Sequence, residues 1–106
     1  MRIDSSGVLL VGATFSDSAN VGHGFNPNGF TYHTRDGGEV LRLNRKTSDG
    51  SIIGFRKNGS TVGSIGVAAG DNLYIGSTSS GHSGLGFGSN ELTPMNPAGT
   101  NSDGDV

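Results

Sequence analysis

Residues 41–67 read LRLNRKTSDGSIIGFRKNGSTVGSIGV. In the segment 39–46, Leu41 and Leu43 fall on one side of an extended chain while Arg42, Asn44 and Lys46 fall on the other, as a half-buried strand requires. Asp49-Gly50 supplies positions suited to positive φ in a tight turn. Residues 51–56 follow as a second strand, with Ile53 and Phe55 on one face. Asn58-Gly59 is the strongest short hairpin signal a sequence can carry, and residues 60–67 alternate again. The stretch predicts a β-meander.

Working outward, the same grammar recurs. Residues 2–4 form a short strand closed by Ser5-Ser6-Gly7. Residues 8–11, all apolar between two glycines, read as a strand buried on both faces. Residues 14–29 read as a loop around Pro27. Residues 30–34 and 72–75 read as strands, and 85–87 as a last weak one. No window shows helical spacing of apolar residues free of glycine. The fold class is therefore all-β, with short strands and Gly, Asn and Asp turns. Residues 1–90 form the β-structured part; 91–106, with two prolines, read as an irregular tail or linker. A small sandwich or barrel fits the strand spacing.

Composition qualifies that picture. Gly, Ser, Asn and Thr fill 51 of 106 positions, and Val, Ile, Leu, Met, Phe and Tyr fill 28. Glycine brings no side chain to bury, so a one-domain chain of this length is short of core. Self-association is the expected remedy. The glycines inside or beside strands (Gly63, Gly66, Gly76, Gly84, Gly86 and Gly88) suit close backbone approach, as three identical chains wound about one axis would require.

The net charge of −2 and the pI near 5.8 argue against nucleic acid and against anionic membrane surfaces. No apolar run reaches the length of a membrane span, and MRIDSSG has no secretory leader character. With no cysteine, disulfides and thiolate metal sites are excluded.

The stretch 41–67, followed by DNLYIGS, resembles the repeated shaft segments of bacteriophage tail fibres and tail spikes. MRIDSSGVLLVG is similar to the short strand-turn units of the same family. Such segments commonly precede an intramolecular chaperone domain that cleaves itself off after trimerisation. The resemblance covers residues 1–12 and 40–77. It implies an intertwined homotrimeric fibre-like β-structure (a β-prism or triple β-helix), a place in the virion tail fibre, and a structural role in host cell attachment. The implied partners are further copies of the chain and a host surface glycan or receptor. The chaperone's catalytic residues have no counterpart here, and NELTPMNPAGTNSDGDV resembles the approach to that domain. A polysaccharide-degrading spike domain and a small virion decoration or glycan-binding β-domain are the alternatives.

Candidate sites are few. Arg42, Arg45, Lys46, Arg56 and Lys57 are the one basic cluster, readable as a glycan- or phosphate-binding face or as a solvated strand face that discourages edge pairing. His23, His33 and His82 are the imidazoles, and a threefold axis would turn one of them into a three-nitrogen metal site; His23 is the better axial candidate, although no spacing supports it. AAGDNLYIG resembles a calcium nonapeptide, but it occurs once and lacks the double glycine. Asp36 and Glu39 are a carboxylate pair with no apolar surroundings to separate their roles, and no Ser–His–Asp order stands out. No catalytic residue, no cofactor and no enzymatic activity are expected.

Overall fold

The computed structural model describes residues 1–96 of the chain. They contain nine strands and no helix. All-β character is the feature in which sequence and structure agree. The strands fall into two antiparallel sheets, each a meander whose sequence neighbours are spatial neighbours. The chain divides into two compact units, Met1–Arg42 and Leu43–Val106, where length alone predicts one domain.

The first sheet holds β1 (Arg2–Ile3), β2 (Leu9–Val11), β3 (Gly22–Phe25) and β4 (Thr31–Thr34). Its first turn shows why DSSG works as a unit. The Asp4 carboxylate accepts hydrogen bonds from the amides of Ser6 at 2.9 Å and Val8 at 3.0 Å, and Gly7 takes φ +83°. A short carboxylate thus replaces the partners the turn backbone lacks. Leu10 of β2 is fully buried and Val8 nearly so. Leu10 is paired with Gly24, and Gly24 with Tyr32. Tyr32 folds its ring over Gly24 so closely that a Cβ there would collide with it.

β3 lies within the segment expected to be a loop. Its residues alternate Gly, His, Gly, Phe, a strand in which glycine takes the place of the inward side chain. The NPNG turn that follows is closed by the Asn26 amide donating to the Phe30 carbonyl at 2.9 Å, with Gly29 at φ +94°.

The second sheet holds β5 (Gly50–Lys57), β6 (Ser60–Ala68), β7 (Asn72–Ser77), β8 (Gly84–Gly88) and β9 (Glu91–Met95). Asn58 and Gly59 join β5 to β6 with φ of +49° and +81°, the two positive values of a type I′ turn. A register shift between Ser51 and Ile53 leaves Ile52 out of the pairing, a bulge. Paired residues share a face, so the register draws two apolar rows across the sheet. One is Ile53, Ile65, Ile75, Leu85, Pro94; the other is Val67, Leu73, Phe87, Leu92. The opposite face carries Gly54, Ser64, Gly76, Gly84 and Met95 in one row and Ser51, Gly66, Tyr74, Gly86 and Thr93 in the next.

Beyond the loop expected at 14–29, three expectations are corrected. Residues 8–11 are buried on one face rather than both, Val11 being 40% exposed. Residues 39–46 form no strand; Val40, Leu41 and Leu43 remain about half exposed. Alternation marks a segment that could be a strand, but a ladder needs a neighbour, and none among the described residues pairs with this one. Residues 91–95, expected to be irregular, form the edge strand β9. Pro94 is tolerated there because one side of an edge strand needs no ladder donors. The remainder of the expected tail, 97–106, lies outside the described residues.

Candidate functional site

The tightest cluster of chemically capable side chains sits on the first sheet. The turn centred on Asn28 sets the register, and it brings His23 of β3 directly opposite His33 of β4. Their Nδ1 atoms are 2.7 Å apart, with ring centroids at 5.0 Å and planes inclined by 61°. At that distance one Nδ1 carries a proton and the other accepts it. Phe25, two residues along β3 on the same face, meets the His33 ring edge-on at 5.9 Å. His23 is exposed and His33 half-buried. A cleft of about 220 Å³ beside His23 is lined by Gly12, Val21, Gly22, Thr34, Arg35 and Val40.

Sequence reasoning names His33 among the imidazoles but does not pair it with His23. The signal was present: GHGF and TYHT flank NPNG symmetrically, so a hairpin centred on residue 28 places 23 against 33. Reading residues 14–29 as a loop concealed the pairing.

His82, in the loop after β7, places Nδ1 3.1 Å from the Ser77 hydroxyl. That hydroxyl also lies 3.3 Å from the Val62 carbonyl and accepts the Ser79 amide. It is a loop tie rather than a free nucleophile.

The basic residues divide between the two units. Arg42 belongs to the first unit and pairs with Glu39 at 2.6 Å. Arg45 precedes β5 and donates to Ser48 Oγ and to the Ser51 carbonyl, holding the strand's entry; Lys46 stands exposed beside it in sequence. Arg56 and Lys57 lie at the far end of β5, roughly 20 Å along an eight-residue strand, and Arg56 donates to the Gly59 carbonyl at 2.8 Å. Two of these guanidinium groups thus brace turns.

Among the carboxylates, Glu39 is engaged by Arg42, and Asp49 accepts the Gly70 amide at 3.0 Å. Among the described residues no three His, Cys, Asp or Glu side chains come together as a metal cage, and no helix is long and apolar enough to cross a membrane.

In comparisons with known proteins, no family model, no curated protein and no solved structure matches the chain.

Proposed function

We propose that this chain is a structural element of a bacteriophage tail fibre or tail spike, a homotrimeric β-structured segment that serves host attachment without catalysing a reaction. One observation carries the reading. The second sheet turns its large apolar side chains outward: Phe55, Leu73, Ile75 and Leu85 are each 47–48% exposed and Leu92 is 65% exposed. The relatively protected face is the one lined by glycine, under Met95. Contiguous apolar surface of this kind marks an interface. The shortage of large side chains makes further copies of the same chain its natural cover. Among the described residues the buried apolar side chains are Val8, Leu10 and Met95 alone, too small a core for self-sufficiency. The resemblance of residues 1–12 and 40–77 to fibre shaft segments supplies the copy number and the virion setting. Glycine faces that admit close backbone approach and charged residues at turn positions suit such a shaft.

The test is the solution mass of the full chain by light scattering on a size-exclusion column, over a wide dilution range. A trimer that survives dilution is expected. A folded monomer would overturn the fibre reading and leave a small self-contained β-domain in its place.

A further inference from the structure

The His23–His33 pair is independent of the fibre reading, since it lies within one sheet of one chain. We propose that these two residues form a cross-strand chelate for a divalent transition metal, Cu²⁺ foremost, with Nδ1 of each ring as the ligating atom.

The backbone supplies the preorganisation. Directly opposed residues of an antiparallel pair hold their Cβ atoms about 4.5–5.5 Å apart on the same face, and the register of β3 on β4 puts His23 and His33 in that relation. Phe25 against the edge of His33 restricts that ring further. The spacing of the nitrogens is compatible with a shared ion. Two nitrogens bound at about 2.0 Å lie roughly 2.8–3.3 Å apart for angles between a right angle and the tetrahedral angle. The hydrogen-bonded Nδ1 atoms are 2.7 Å apart, so a small opening and a turn of the rings admit one. Cu²⁺ heads the general affinity order for divalent metals.

Binding requires modest change. In the metal-free pair one Nδ1–H points at the other ring; on binding, both rings carry their proton on Nε2 and turn their Nδ1 lone pairs toward a common point beside the N–N line. The exchange moves one proton from Nδ1 to Nε2 within a ring and leaves both Nδ1 lone pairs free for the metal. Among the described residues no third His, Cys, Asp or Glu joins the pair, so the metal keeps exchangeable positions for water or an external donor. This differs from a single histidine repeated about a threefold axis, the arrangement that the sequence suggests for His23. The chelate takes one metal per chain, whereas the axial site takes one per three chains.

The experiment is a titration of the full chain with Cu²⁺, followed by calorimetry and electron paramagnetic resonance, with His23→Gln, His33→Gln and the double variant alongside. One Cu²⁺ per chain with two coupled imidazole nitrogens is expected. Each single variant should bind about a hundredfold more weakly, because the second imidazole acts at high effective concentration, and the double variant should retain only background binding. Ni²⁺ and Zn²⁺ should both bind more weakly than Cu²⁺. Unchanged affinity in His33→Gln, or one metal per three chains abolished by His23→Gln alone, overturns the proposal. Should either variant fold poorly, Cu²⁺ broadening of amide resonances in the unaltered chain decides. Broadening centred on residues 22–25 and 31–34 upholds the site, and broadening centred elsewhere refutes it.

Discussion

The two sheets solve one problem, covering glycine-rich strands, with unequal success. In the first, Tyr32 lies over Gly24, and Leu10 of the neighbouring strand is fully buried. In the second, Met95 lies over Gly86, yet none of the large apolar residues of the two rows is buried. Both use glycine to let a neighbouring strand's side chain lie flat on the backbone. The first sheet thereby gains a small core; the second gains a cover on one face and leaves its better apolar face outward. A strand pattern alone does not make a self-sufficient sheet, since stability depends on which face the large side chains occupy and on what they meet.

The most severe way to break this contrast is Ile75→Asp. Ile75 sits at the middle of the longer apolar row, and a carboxylate buried there without a partner costs several kcal/mol. The proposed trimer should dissociate, with the solution mass falling threefold while amide exchange in the first sheet stays unchanged. Association unaffected by Ile75→Asp would mean that this face is not the contact.

Leu10→Ala probes the other half. Removing a fully buried leucine costs about 2–5 kcal/mol, depending on how far the site collapses. The loss should appear in urea denaturation and in amide exchange of β1–β4, leaving exchange in β5–β9 unchanged. Ile75→Asp should thus act through assembly and Leu10→Ala through the fold of a single unit.

Glycine sharpens the comparison further. Gly24→Ala forces the Tyr32 ring aside, and that ring is tethered by the Asp17 amide donating to its hydroxyl at 3.0 Å. An overpacking cost of about 2 kcal/mol is expected. Gly86→Ala meets the Met95 thioether instead, an unbranched chain with soft rotamers, and should cost about 1 kcal/mol or less. Chemical denaturation of both variants checks the order; equal losses would show that the two covers are equally rigid.

What the sequence disclosed follows the same physics. Asn58-Gly59 was legible because two consecutive positive φ values suit few other residue pairs, and the alternation on either side of it announced β5 and β6. Glycine was the ambiguous letter. In GHGF it stands for a strand residue whose place is filled from a neighbour, yet it reads locally as a breaker, and with β3 misplaced the His23–His33 pairing was hidden. The opposite error occurred at 39–46, where the alternation is sound but pairing is a long-range fact. Pro94 likewise read as irregular because edge position is fixed only by the completed sheet. Turn chemistry is local and was read from the sequence; faces, edges and partners are not.

The smallest effect is expected in the strandless segment. Arg42 and Glu39 approach to 2.6 Å, but their side chains are 80% and 54% exposed. At such exposure the attraction is screened by water and salt and offset by the entropy of holding two long side chains in one geometry. Arg42→Ala should therefore change stability by less than about 0.5 kcal/mol, with unfolding midpoints nearly coincident at low and high salt. A loss well above 1 kcal/mol would mean that residues 39–46 carry stability of their own. The alternation of leucines there would then mark a strand that finds its partner on another chain, extending to this segment the dependence on copies proposed for the second sheet.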